Sequence, residues 1–294
     1  MSQPKRTDTS TQRRGASRRT APVRLAPEAT AGQAFQAIAA GCVDRFQANS
    51  VLLANNAAPE ALHRARVALR QLRSALSIFD PIVHDWRFEP LKKEFGWLAT
   101  TMNEARDLDA LMARYEIPPV QLVRARKRAI RQATKAIASA RAQRLWCDFA
   151  EWLDHGIWLD VRNPPNLLVS EFASASLDRL RARVKKKARG LRKLDDKALH
   201  KLRIAAKTLR YATEFFAGQF DGPVRERQQE LLKKAARELQ DTLGDHRDCT
   251  VAKSLLERLE VPGDLWPALP GRVRLSRRAN RALEQLMDCE PYWK

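Results

Sequence analysis

The sequence predicts an all-α protein, and three observations predict it. From about residue 30 onward, apolar side chains recur at three- and four-residue spacing almost throughout. Glycine and proline are sparse and fall between the periodic segments. The chain shows neither a convincing alternating strand nor a glycine-rich phosphate loop.

Each element follows from its punctuation. The first helix covers about residues 30–54. The second, 59–79, opens at Pro59, whose missing N–H costs little in a first turn, and closes at Asp80-Pro81. Helices at 86–104 and 107–115 come next, before Pro118-Pro119. Arg106-Asp107-Leu108-Asp109 reads as a helix start, with aspartates capping free N–H groups and also placed to orient arginines of the basic stripe described below. A long helix, 119–154, leads to Pro164-Pro165. Helices at 166–193, 195–217, 223–243, 246–259 and 272–288 complete the chain. Gly222-Pro223 opens the third of these, Asp245-His246-Arg247-Asp248 starts the fourth, and Pro262-Gly263 with the 267–271 stretch precedes the last.

Charge bounds the partners. The 294 residues carry 54 Lys+Arg against 34 Asp+Glu, a formal +20. Such a chain suits polyanions: nucleic acid, an anionic membrane surface or a phosphate polymer. Residues 1–27 hold seven basic side chains and one acid among Ser, Thr and Pro, the composition of a disordered basic N-terminal arm. Without the arm, 47 basic and 33 acidic side chains remain, so the folded part, 28–294, is itself basic. Cys42, Cys147, Cys249 and Cys289 are widely spaced and read as reduced thiols of a cytoplasmic protein. The N-terminus lacks the apolar core of a secretory signal, and no apolar run is long enough to span a membrane.

The chain also repeats. Residues 63–79, HRARVALRQLRSALSIF, match 200–216, HKLRIAAKTLRYATEFF, at seven of 17 positions. At a nearby offset Lys92-Lys93 aligns with Lys233-Lys234, and Arg106-Asp107 with Arg247-Asp248. Two helical units, 28–165 and 166–294, account for this. On a helical wheel His63, Arg66, Arg70 and Arg73 fall within about 80° of arc and about 15 Å of axis. Leu69, Leu72, Leu76 and Phe79 lie largely opposite. His200, Arg203, Lys207 and Arg210 repeat the stripe against Leu202, Leu209 and Phe216. Val67 and Ile204 flank it and are expected to pack on a neighbouring helix, so that the stripe lines a groove or junction.

A charged helix face is commonly only a solvated one. Solvated faces mix signs, however, because like pairs cost about 0.2–0.5 kcal/mol each. The first stripe contains no acid and the second is followed only by Glu214. Arginine forks and lysine point charges arranged in a row suit an extended, multiply charged anion. Metal ligation would need a His or carboxylate at i+3 or i+4 of each histidine, where Arg66, Val67, Arg203 and Ile204 stand. A phosphoacceptor or catalytic histidine would need an orienting carboxylate, and the stripe supplies none. His84, His155 and His246 read as isolated surface or core residues. Asp107 and Asp109 could form a carboxylate pair, but a structural role is favoured. The basic runs 124–144 and 178–193 widen the positive field.

The doubled H-x-x-R-x-x-x-[RK]-x-x-R helix, each copy followed by an Arg-Asp pair, resembles the CHAD family, the conserved histidine α-helical domain. VALRQLRSALSIF, RIAAKTLRYATEFF and LQDTLGDHRD carry the likeness. The resemblance spans about residues 30–290 and implies two four-helix-bundle-like halves related by internal pseudo-twofold symmetry around a basic centre. It implies non-catalytic binding of inorganic polyphosphate, and association with polyphosphate granules or polyphosphate-metabolising enzymes. Some members carry a triphosphate-tunnel domain, which this sequence does not show. Carried over by position, the ligand-facing set is His63, Arg66, Arg70, Arg73, His200, Arg203, Lys207 and Arg210, with Lys93 and Lys234 added from the repeated lysine pair. No metal and no cofactor is implied. Two rival readings remain: a basic helical nucleic-acid binder, with weak binding through the arm, and a metal-dependent phosphohydrolase or phosphotransferase.

Overall fold

The computed structural model describes residues 25–26, 28–56, 59–159, 167–269 and 271–294. The expected arm, apart from Leu25 and Ala26, and the Pro164-Pro165 joint lie outside the described residues. The architecture is all-α. The helices are α1 (Ala31–Asn56), α2 (Pro59–Val83), α3 (Phe88–Thr101), α4 (Asn103–Met112) and α5 (Val120–Ile137). They continue with α6 (Ala140–His155), α7 (Val169–Lys187), α8 (Asp196–Phe215), α9 (Pro223–Arg258) and α10 (Arg272–Asp288). Among the described residues no helix is long and apolar enough to cross a membrane.

Several boundaries differ from the expectation. The predicted 119–154 helix is two helices, α5 and α6. Ser139 breaks it by accepting from Ala142 N at 3.2 Å, a side-chain cap that outweighs the helix-favouring alanines around it. Conversely, the two helices predicted at 223–243 and 246–259 are one, α9, which runs through Gly244. A mid-helix glycine costs about 1 kcal/mol. Burial of Thr242, Leu243 and Ala252 as α9 packs on α4, α8 and α10 offsets it. The Asp245–Asp248 cluster is therefore helix interior, and α4 starts at Asn103 without a side-chain cap, so neither acidic cluster caps a helix. Pro81 likewise sits in the last turn of α2 and does not end it at Asp80.

The apolar faces meet as the wheel requires. Leu69, Leu72, Leu76, Phe79, Leu202, Leu209 and Phe216 are all buried in one continuous core. Phe79 and Phe216, the last identity of the repeat, lie 5.8 Å apart by ring centroid, and Phe172 stacks on Phe79 at 4.9 Å. α6 adds Phe149 and Trp152 to the first half's share of this core. Segments related by the repeat also meet one another. Ala31 N donates to Leu167 O and Val169 N to Ala29 O, both at 2.9 Å, tying the start of α1 to the start of α7. α2 packs on α8, and α4 on α9. These two contacts place both basic stripes at one junction.

Candidate functional site

The stripes of α2 and α8 converge because their apolar faces share the core, which leaves the flanking cations to face each other. Arg70 Nε donates to the Tyr211 hydroxyl across the junction at 2.8 Å. Lys207 lies one helical turn before Tyr211 and is half-buried. Burial holds its amine down to about 7, and the charges of Arg70, Arg203, Arg73 and Arg66 add to the effect. A single lysine of the second stripe thus senses three arginines of the first. Arg66 is likewise held down, to about 10, first by burial and then by Arg70, and Arg203 is lowered by burial and by Arg247 and Arg70. His63 and His200 are exposed, and burial of part of each ring with the surrounding arginines lowers both.

The cluster is short of acceptors. Arg66 Nη2 donates to Asn103 Oδ1 at 2.8 Å, while its Nε is buried and unpartnered among the described residues. Arg203 Nε, at the equivalent place in the repeat, is unpartnered in the same way. An unmade bond of this kind costs about 1–3 kcal/mol. Arg73, Lys207, Arg203, His63 and His200 form no hydrogen bond or ion pair with any described residue. Arg73 is exposed, and its Nη2 lies 4.0 Å from where a Cβ on Gly96 would stand, an ordinary van der Waals contact.

The predicted set is not uniform. Arg210 is only 8% exposed. It donates to Gln240 Oε1 at 3.1 Å and to Glu214 Oε1 at 2.5 Å, and its guanidinium stacks 4.2 Å over the Tyr211 ring. It is spent on structure. Lys93 and Lys234 are exposed, and Lys234 lines a cleft with Leu231, Glu238 and Asp288, away from the stripes. Their neighbours Lys92 and Lys233 pair with Glu89 and Glu230, each at 2.7 Å. Val67 is half-buried and Ile204 is 37% exposed, so Ile204 does not form the expected wall. α2-to-α8 packing makes the junction.

Four residues shape the site without a place in the predicted set. Arg247 donates from both Nη atoms to Asp107 at 3.0 Å, joining α9 to α4 beside Arg203. Asp109 pairs with Arg126 at 2.5 Å. Asp107 and Asp109 are thus each held by an arginine. Asn103 and Tyr211 are the others, one holding Arg66 and one Arg70. The repeated Arg-Asp pair was the signal for Arg247 and Asp107. Asn103 and Tyr211 align with Gly244 and Ser74, so the repeat gave no hint of them. Among the described residues, no group of three or more His, Cys, Asp or Glu is placed to hold a metal ion.

An all-α scaffold with repeat-related segments meeting at a cationic, acceptor-poor junction defines the class. The chain belongs to the CHAD family: the pattern that defines the CHAD domain matches residues 37–257, about three quarters of the sequence. It is similar to the crystal structure of the CHAD domain from the plant Ricinus communis, with 27% identity, a TM-score of 0.70, and coverage of 92% of this chain and 94% of that one. It also shares its fold with PptA from Streptomyces chartreusis, at 17% identity and a TM-score of 0.54, covering 90% of this chain and 98% of that one. The comparison with curated proteins found no significant match.

Proposed function

We propose that this protein binds inorganic polyphosphate, without turning it over, at the junction of α2 and α8. The observation that carries the reading is the paired shortage of acceptors: Arg66 Nε and Arg203 Nε are both buried and both unpartnered among the described residues. They flank an amine, Lys207, that three arginines of the opposite helix help to discharge. A row of phosphates supplies oxygens to both donors and charge to restore the ammonium. A single small anion satisfies one end of the array only. Arg66, Arg70, Arg73, Arg203 and Lys207 form the centre of the footprint, with His63 and His200 at its rim and Arg210 as a positioning residue. Lys93 and Lys234 extend it only if a long chain wraps the surface.

Two observations weigh against the rivals. Nucleic-acid binding to single strands uses aromatic faces for stacking. Tyr211 is 1% exposed and covered by Arg210, so its ring is not offered to a base. Phosphoryl transfer assisted by a metal needs carboxylates beside the phosphates. The carboxylates that act on Arg66 and Arg203, Asp107 and Asp248, are both engaged by Arg247. The reading places the protein in the cytoplasm, with polyphosphate granules or polyphosphate-metabolising enzymes as its setting.

The test is competition. Long-chain polyphosphate should displace labelled DNA at far lower phosphate concentration than unlabelled DNA does. Phosphate release in the presence of magnesium or manganese should match the protein-free control. Equal displacement by both polymers would overturn the assignment, and steady phosphate release would overturn its non-catalytic part.

A further inference from the structure

One groove of this basic chain carries the opposite charge. α9 and α10 run antiparallel, with Arg278 beside Asp245 at one end and Gln228 donating to Glu290 Oε2 at 2.6 Å at the other. At the Gln228 end lies a groove of about 580 Å³, lined by Leu231, Ala235, Glu238, Asp288, Glu290 and Lys234. Its three carboxylates thus face one lysine. Glu238 and Asp288 form no hydrogen bond or ion pair with any described residue. Leu231 between them and the solvent is 50% exposed. In a chain of formal +20, cations are plentiful, yet these two carboxylates are left without one beside an exposed leucine. Such a surface suits a guest that is cationic and carries small or apolar side chains between its charges.

We propose that this groove is the docking site of the chain's own N-terminal arm, with Arg13-Arg14 and Arg18-Arg19 set against Glu238, Asp288 and Glu290. Charge complementarity supplies the first argument. The spacer between the two arginine pairs, Gly15-Ala16-Ser17, is small enough to pass over Leu231.

The place where the arm joins the fold supplies the second. Leu25 O accepts from Gln219 Nε2 at 3.2 Å, and Gln219 stands four residues before α9 begins at Pro223. The near end of the groove, at Gln228, lies only about 8 Å along α9 from Pro223. Arg19 is six residues before Leu25 and reaches at most about 20 Å from it, which is enough for the near end. Glu238 lies about 15 Å further along α9 than Gln228. An extended chain from Arg14 to Arg18 covers about 14 Å, so one arginine pair meets Glu290 while the other meets Glu238. The opposite side of Leu231 carries Arg227, Lys233 and Arg237, which repel the arm and confine it to the α10 side. Exposed ion pairs are individually weak, but a tethered segment meets several of them at high effective concentration.

The experiment is limited trypsin digestion of the full chain at low ionic strength, with cleavage followed by mass spectrometry. Glu238→Gln with Asp288→Asn should speed cleavage at Arg13, Arg14, Arg18 and Arg19 about tenfold, and cleavage after Arg6 serves as the internal reference. A second measurement leaves the groove intact. Ser17→Cys, in a chain with Cys147→Ser and Cys249→Ser, should form a disulfide with Cys289, which lines the same groove, under mild oxidation. Cleavage that is equally fast in wild type and in the amide variant, relative to Arg6, overturns the proposal. A disulfide that forms only between two chains places the arm of a second copy in the groove and overturns the docking of the chain's own arm.

Discussion

Arg70 and Tyr211 join the two halves of the repeat: the guanidinium Nε of one donates to the hydroxyl of the other at 2.8 Å, between α2 and α8. Tyr211 also receives Arg210 over its ring, so one aromatic side chain fixes an arginine from each stripe. Its counterpart in the first copy is Ser74, which bonds back to Arg70 O at 3.0 Å and reaches no other helix. The two copies are therefore alike in charge and unlike in how that charge is anchored.

Tyr211→Phe keeps the ring and removes the acceptor. Arg70 then loses its only bonded partner among the described residues in a crowded cationic site. Stability should fall by about 1–2 kcal/mol, measured by denaturant unfolding, because a charge-assisted bond is lost while the packing remains. Bound polyphosphate should recover most of that loss. No change in the unliganded midpoint would show that the bond contributes nothing.

Neutralising the unpartnered arginines should separate stability from function. Arg66→Gln with Arg203→Gln removes two buried donors that lack acceptors and eases the repulsion on Lys207. The unliganded protein should melt at a higher temperature than wild type, and polyphosphate affinity should drop by about a hundredfold or more, given about 1.5–3 kcal/mol per charge-assisted bond. Charge reversal, Arg66→Glu with Arg203→Glu, should abolish binding while circular dichroism keeps its helical signal. Binding that survives the reversal removes the site from the junction.

The pH dependence follows from Lys207. Its folded value, about 7, lies below the ordinary 10.5, so the unfolded chain binds more protons between those values. Unliganded stability accordingly rises with pH across that window and is lost as pH falls toward 7. Binding has the opposite slope, because a polyanion favours the charged amine. Calorimetry at about pH 8 in buffers of different ionisation enthalpy should show proton uptake on binding. His63 and His200 are lowered as well, so their uptake appears only at lower pH. Lys207→Arg should abolish the uptake at about pH 8, and uptake that persists in that variant would assign the proton elsewhere.

The apolar wheel placed Leu69, Leu72 and Phe79 in the core because burial is a property of one helix face, and that face is written in local spacing. The stripe was legible for the same reason. What two stripes do to each other was not, since it depends on which helices pack, and packing is not local. Arg210 shows the limit. Its spacing matches Arg73, yet Glu214 one turn on and Gln240 from α9 bury and bind it. The Asp245–Asp248 cluster misled in the other direction: its acids signal a helix start, and contacts from distant segments carry α9 straight through it. Lys93 and Lys234 came from aligning a dipeptide, which does not say which of two adjacent residues faces inward.

The last prediction concerns Asp107, which separates a structural carboxylate from a chemical one. Both of its oxygens accept from Arg247 at 3.0 Å, and its side chain is only 13% exposed. Asp107→Asn keeps the shape and removes the charge. Arg247 then faces Arg203 with only its longer 3.4 Å contact to Asp248 to offset the repulsion, so unfolding free energy should fall by about 1–3 kcal/mol. Losing the Asp107 charge leaves the junction more positive, so polyphosphate affinity should hold or rise, and its salt dependence should steepen. A carboxylate needed for metal-assisted phosphoryl transfer would behave in the reverse manner: the variant would lose phosphate release and gain nothing in binding. Measuring affinity at two salt concentrations together with denaturant midpoints distinguishes the two. Weaker polyphosphate binding by a stably folded Asp107→Asn would mean that this acid supports the ligand and not the α4–α9 contact.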